Sequence, residues 1–422
     1  MTMVRSLLLS SLLRLAVFVA LFHQCVLAAT TSSASTSAAS TSAAATPVTS
    51  IFPVPSILTP YVWTAPQLSN SPVKGSFKVQ STTDWGEMQD FKSTWRVFRD
   101  GGGSCSISNR TLWVFNDAVA HSKSTGKFTG AAVNAMSIAN TFSNISQLTD
   151  FTVAPSVGYF PAVPWSANEA QYANSLTSRY ALWTFTNCVQ LSSTSAAHFF
   201  LVNQFSSLTA SRQYGNTMVL YNINEATGKI TVTRPAQYAF RNTSYPYGSF
   251  ANVVVNGYAY LYGLDRLYST NYDVHLAQVA TAYISNQAKY RYWNAATKAY
   301  ETTLPVPTAR RRTAAVIQSN IMFSTGTLFF SQYHNAYVLI YFSAYQDNTF
   351  RLVSSPTPLG PWNVTSVTLF KTTPGIGFNY GALAHPQYFQ SKAGIAGKSV
   401  MLHYSYQDTV GTYIKGMSMT FA

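Results

Sequence analysis

The 422-residue chain holds only 13 Asp and Glu residues, few enough for each to be weighed for chemistry. Cleaving a glycosidic bond takes two carboxyl groups, one protonated and one ionised, flanking the scissile oxygen. Most of the acids sit in turn-like contexts: Glu225 in NEATGK and Asp347 in QDNT read as hairpin loops. Asp100 and Asp117 do not, because they open and close the run DGGGSCSISNRTLWVFND. Read as a hairpin, residues 101–108 form one strand, 111–117 the other, and Asn109-Arg110 the tip. With Ser108 facing Thr111, Gly102 faces Asp117 and Asp100 faces Val119. The two aspartates are then diagonal neighbours on one face, with Cα atoms about 7–8 Å apart. That spacing suits either a retaining pair, with carboxyls about 5–5.5 Å apart, or an inverting one, at about 6.5–9.5 Å. A three-residue turn would put them on opposite faces and require a bulge at the strand end. Gly101–Gly103 leave room for a ligand against the backbone. In the alternative reading Asp100 caps a turn and Asp117 ends a strand. Nothing in the sequence divides the roles of acid and base between them.

Other side chains carry two readings each. His385, in AHPQY, is a ligand-binding residue or a buried structural one. Arg266 holds a sugar hydroxyl, orients an aspartate, or lies in an exposed loop. Trp165 and Tyr380 stack on a sugar face or pack in the core. Glu169, in SANEAQ, supplies a third carboxylate or starts a helix in a capping pattern. Neither the seven His nor the three Cys fall at zinc-site spacing, so no structural zinc and no cofactor are expected. A phosphate-binding Gly loop and a nucleophile elbow are both missing from the sequence.

The elements that must position these residues are strands. Apolar or alternating runs of five to nine residues recur, such as TLWVFNDAV at 111–119, AHFFLVNQF at 197–205 and KSVMLHYSY at 398–406. ANVVVNGYAYLY at 251–262 carries Asn-Gly between two such runs, the strongest short hairpin signal. Helical periodicity is weak, with at most short stretches such as 166–174. The strand groups begin near residues 100, 180, 250, 325 and 380. Five groups of this length predict an all-β fold, a five-bladed β-propeller, whose innermost strands deliver their ends to one mouth. The N-terminal part of the domain is expected to pair with the last blade.

Composition agrees. Charged residues make up 9% and aromatics 14%. Coiled coils and charge-laced bundles need more Glu and Lys, and a wholly disordered chain would lack the 47% hydrophobic content. Residues 1–28 read as a signal peptide, with Arg5 and Arg14, the apolar run Leu15–Leu21 and small residues before Ala29. An uncleaved anchor is the competing reading, and Arg14 and His23 interrupt its apolar stretch. Residues 29–50 are almost wholly Ser, Thr and Ala, a disordered, O-glycosylated linker in character. The folded domain is therefore expected over 51–422. In a secreted chain Cys105 and Cys188 pair as a disulfide, once Cys25 leaves with the leader. Asn109, Asn144, Asn242 and Asn363 stand in glycosylation sequons. The formal charge of +14 comes from scarce acids, and the one basic cluster, Arg310–Arg312, reads as a loop. No nucleic-acid partner and no stable membrane anchor are expected.

In its order of motifs the chain resembles the domain-of-unknown-function 4185 family. DGGGS with NRTLWVFNDAV resembles that family's opening aspartate, Gly-rich inner strand and aromatic strand ending in Gly-Asp-Thr. PAVPWSANEAQYA at 161–173 resembles its Pro-rich segment with a glutamate. GYAYLYGLDR with VHLAQVA, over 257–280, resembles its blade of a strand, an Arg and then Leu-Ala-Arg-Val, and YRYWNAATKAY at 290–300 its Tyr-Glu-Tyr-Trp segment. SSPTPLGPWN at 354–363 resembles the Pro-x-Gly-Pro-Trp blade ending, and GALAHPQYF at 381–389 the last-blade His-Pro. The resemblance implies a five-bladed propeller, some members of which are endo-acting glycoside hydrolases that cut D-arabinan with a pair of aspartates. Those positions fall on Asp100 and Asp117. Two departures stand out: Asn116-Asp117-Ala118 replaces Gly-Asp-Thr, and Gln278 stands where the family has Arg. The expectation is a secreted, monomeric glycoside hydrolase acting on a cell-wall polysaccharide or oligosaccharide, arabinan-type. A non-catalytic carbohydrate-binding or interaction protein on the same scaffold is the alternative. Two carboxyls near a common point separate the first from the second.

Overall fold

The structure is a computed structural model that describes residues 48–53, 77–108, 110–139, 146–151, 153–154, 158–159, 162–172, 179–207, 211–265, 272–318, 321–343, 347–388 and 397–422. The leader with Cys25, residues 29–47 of the linker, Asn109, Asn144 and Arg266 lie outside the described residues. The fold is nearly all β, as expected, and its strands pair antiparallel within successive sheets.

Among the described residues are seven sheets, and the five largest follow one another along the chain. The first holds Gly103–Ile107, Arg110–Phe115, Ala135–Ala139 and Thr149–Asp150. In the second, Arg179–Trp183 and Val189–Gln190 both pair with Ser195–Phe205, followed by Ser211–Asn224, Lys229–Arg234 and, at the edge, Val48–Pro53. Pairing thus begins at Val48, ahead of the boundary expected at Ile51. The third runs from Ala251–Val255 to Ala299–Glu301 and the fourth from Phe323–Ser331 to Asn363–Lys371. Tyr380–His385, Ser399–Gln407 and Thr412–Phe421 form the fifth, which the early strand Val79–Glu87 completes. The predicted pairing of the N-terminal part with the last sheet is therefore present.

Local chemistry explains the elements. Val255 faces Tyr258 across Asn256 (φ 50°) and Gly257 (φ 77°), the left-handed pair that a two-residue hairpin turn requires. Ala336–Ser343 is buried at every position because both of its faces are covered. Thr412–Phe421 mostly alternates between buried and half-buried residues. The short helix Ala167–Ala170 falls where a helical stretch was expected.

Apolar clusters sit between sheets. Leu112 and Met136 of the first pack with Phe200 and Val219 of the second. Phe199 joins Leu261 and Val279 of the third, and Tyr262 joins Leu339 of the fourth. Ile340 joins Leu402 and Met417 of the fifth, and Met401 and Ile414 meet Trp113 and Phe115 of the first. Each of the five sheets thus packs on two neighbours. The leading strands of the third and fifth sheets are also tied through Asn187, in the loop after Arg179–Trp183: Asn252 Nδ2 donates to the Asn187 carbonyl at 2.6 Å, and Asn187 Nδ2 to that of Ala384 at 2.8 Å. The disulfide joins Cys105 of the first sheet to Cys188 beside the second, as expected, with Cα atoms 4.9 Å apart.

Candidate active site

Asp100 and Asp117 sit at a break in one long hairpin. On one side Gly103 faces Val114 and Ile107 faces Arg110. On the other, Arg99 faces Ala118 and Trp95 faces Ser122, in a separate three-stranded sheet with Phe128–Ala132. Both ladders share one register, so the two aspartates lie directly across from each other. This corrects the expected register, in which Ser108 faced Thr111. The turn begins one residue earlier, with Ser108 in the left-handed region (φ 46°), and Arg110 is drawn into the strand and buried. At the break the Asn116 N–H donates to the Asp100 carbonyl and the Asp100 N–H to that of Asp117, each at 3.0 Å. Gly101 (φ 47°) and Gly102 (φ 103°) make the bend, and a Cβ on Gly102 would stand 2.3 Å from the Val114 carbonyl oxygen.

The carboxyls receive few hydrogen bonds for their burial. Asp100 Oδ1 accepts from the Asp117 N–H at 3.0 Å, and Oδ2 from the Tyr380 hydroxyl at 2.9 Å. Asp117 Oδ1 accepts from Trp183 Nε1 at 3.1 Å, and the Arg179 guanidinium faces it electrostatically. Asn116 fixes the second sheet against the break, accepting from the Thr184 N–H at 2.7 Å and donating to its carbonyl at 3.1 Å. Asp117 is buried, whereas Asp100 keeps part of its surface open. Burial first, and the neighbouring Asp117 second, push the Asp100 carboxyl up to about 7; the Asp117 N–H and Tyr380 oppose the rise. Burial also raises Asp117, against the pull of Arg179 and Trp183. Two carboxyls this close hold one proton between them near neutrality, and Arg179 biases the charge toward Asp117. Such a pair can donate a proton to one oxygen and attack, or deprotonate water, with the other.

Of the other expected residues, Tyr380 joins the site, through its hydroxyl rather than a bare ring face. Glu169 does not supply a third carboxylate there. It is fully buried, paired with Arg234 (Nη2 to Oε1 2.8 Å), and its Oε2 accepts from the Ser166 N–H at 3.0 Å. A buried carboxylate needs such a partner, and Arg234 takes it. Trp165 packs on the apolar cluster between the first and second sheets, which is the core-packing reading. His385 stands on the last sheet's leading strand as expected, and it is fully buried. Its Nδ1 meets Ser104 Oγ at 2.6 Å and its Nε2 meets His403 Nδ1 at 2.5 Å. Burial and His403 hold it well below the usual imidazole range, hence neutral. Asn363 is exposed on an edge strand and Asn242 is partly buried.

Arg179, Trp183 and Asn116 escaped the sequence reading. Asn116 stood beside a chosen acid; Arg179 and Trp183 belong to a strand more than 60 residues away, and no local pattern ties them to Asp117. Among the described residues, Cys105, Cys188 and His198 bring potential metal-ligating atoms within 4.8 Å, but both sulfurs are committed to the disulfide.

No family model matches the sequence, and no curated protein matches it. Solved structures do. A protein from Bacteroides ovatus described as a "putative hydrolase" aligns with a TM-score of 0.53 at 17% identity, over 76% of this chain and 85% of that one. The GH43_1 enzyme from Xanthomonas citri complexed with xylotriose gives 0.43 at 10% identity, over 76% and 87%. The catalytic domain of the Coprinopsis cinerea GH62 alpha-L-arabinofuranosidase gives 0.39 at 9% identity, over 83% and 96%. The first of these is a likeness of fold.

Proposed function

We propose that the chain is a secreted, monomeric glycoside hydrolase acting on a cell-wall polysaccharide, arabinan-type, built as a five-bladed β-propeller. Supporting the architecture are the five successive sheets, each packed on two neighbours, and the last completed by an early strand. The observation that carries the function is the opposed Asp100–Asp117 pair, one member pushed up to about 7. Asp100 is the proton carrier in this reading. It protonates the leaving glycosidic oxygen as the bond to the anomeric carbon breaks. Asp117, beside Arg179, is the ionised partner that attacks that carbon or takes a proton from the attacking water. Tyr380 and Trp183 hold the two carboxyls in place through the hydrogen bonds given above. Glycans on the sequons and a cleaved leader belong to the same secreted reading.

The test is release of reducing sugar from debranched arabinan and a panel of wall glycans, with Asp100→Asn and Asp117→Asn beside the parent chain. Both variants are expected to lose at least about a hundredfold in rate. Full activity in either removes the pair from the chemistry. Retardation by a glycan without any cleavage would favour a carbohydrate-binding protein.

A further inference from the structure

The segment that leads into Tyr380 holds an aromatic ring in solvent beside the acid pair. It joins the fourth sheet to the fifth and is pinned along its length. The Thr372 N–H donates to the Asn348 carbonyl at 2.8 Å, and the Asn379 N–H to Asn348 Oδ1 at 2.7 Å. Asn379 Nδ2 closes the loop on Thr372 Oγ1 at 2.6 Å and on the Thr373 carbonyl at 3.0 Å. At its middle the Ile376 N–H reaches the Gln407 carbonyl at 2.9 Å. A Cβ on Gly375 would stand 1.7 Å from the same carbonyl oxygen, so only glycine permits the approach. With both ends and the middle fixed, Phe378 is still 40% exposed and Ile376 53%. The Asp408–Gly411 turn that follows Gln407 presents Val410, 63% exposed. That turn is also fixed, since Asp408 Oδ1 accepts from the Val410 N–H at 2.8 Å.

The Phe378 ring lies 6.4 Å from that of Tyr380, whose hydroxyl bonds Asp100. Through the partly buried Tyr380 ring, the exposed Phe378 neighbours the candidate site. A fixed aromatic ring left in water is pre-organised for a ligand that brings its own apolar face, and binding there spends little ordering entropy. Sugar rings present such a face through the C–H groups on one side of the ring. We propose that Phe378 is a stacking subsite for a sugar unit of the polysaccharide chain next to the cleaved linkage. The proposal rests on the glycosidase reading and adds to it that the enzyme grips its chain beyond the scissile bond.

Phe378→Ala and Phe378→Trp test it, with debranched arabinan and linear arabino-oligosaccharides of increasing length as probes. Thermal unfolding confirms that each variant is folded. Loss of one stacked ring raises KM on the polymer about tenfold, with kcat retained. The effect shrinks as the oligosaccharide shortens, and Phe378→Trp restores the parent value. An unchanged KM on the polymer, or an equal loss at every chain length, overturns the subsite while leaving the glycosidase reading intact. A parent chain that cleaves none of these glycans overturns both.

Discussion

Asp100→Asn should make the protein more stable at pH 8 and leave it unchanged at pH 4. In the folded chain Asp100 holds its proton up to about pH 7, against an ordinary value of 3.8. Between those values the folded state binds a proton that the unfolded state has lost. Stability therefore falls as pH rises from about 4 to about 7 and stays low above. The difference is about 3 pKa units, or about 4 kcal/mol at 1.36 kcal/mol per unit. That figure is a ceiling, because Asp100 keeps part of its surface in water. Asparagine mimics the protonated acid: its Oδ1 still accepts from the Asp117 N–H, and its Nδ2 faces a hydroxyl that can turn to accept. For a folded region of this size about 1.3 °C follows each kcal/mol. The melting temperature of Asp100→Asn should thus exceed the parent's by up to about 5 °C at pH 8 and match it at pH 4. Calorimetry at both pH values decides this without knowledge of the substrate. A shift of the same size at both pH values would refute the buried, proton-holding Asp100.

Tyr380→Phe removes a hydrogen bond that favours the ionised form of Asp100. The alkaline limb of the kcat/KM profile should move up by about one pH unit, from the loss of about 1.5 kcal/mol; a downward move would contradict the assigned donor. Replacing Cys105 and Cys188 with Ser opens a cross-link between positions 83 residues apart. The chain-entropy relation gives a loss of about 4.5 kcal/mol, read by denaturant unfolding. Glu169→Gln leaves the Arg234 guanidinium buried without its carboxylate, a loss of about 3–5 kcal/mol. Its kcat, measured well below the melting temperature, should stay near the parent's, since Glu169 contacts neither aspartate in the described hydrogen bonds.

The sheets were legible because each has a local signature. Asn256-Gly257 marks its own turn, and the apolar runs of the fourth sheet announce strands covered on both faces. The two aspartates were legible because sequence neighbours in a hairpin become neighbours in space. Their exact juxtaposition was not, since it depends on Ser108 taking a left-handed conformation that nothing in its residue type demands. Glu169 shows the opposite limit. Its partner Arg234 lies 65 residues on, so the segment alone left a catalytic and a structural carboxylate equally open. His385 was placed on the correct strand, yet only packing against Trp113 and His403 reveals that it stays neutral.

The strand Val79–Glu87 pairs with Thr412–Phe421, with Val79 opposite Phe421, the penultimate residue. During synthesis this strand leaves the ribosome among the first of the described elements, and its partner leaves last. Until Thr412–Phe421 has been translated, Val79–Glu87 has no ladder, and the apolar faces of Ser399–Gln407 and its neighbours stand without their cover. The last sheet therefore stays incomplete through most of synthesis, a delay that long-range strand pairing makes slow and that exposes an unpaired edge to other chains. A chain cut short before Thr412 would leave that edge open for the life of the protein.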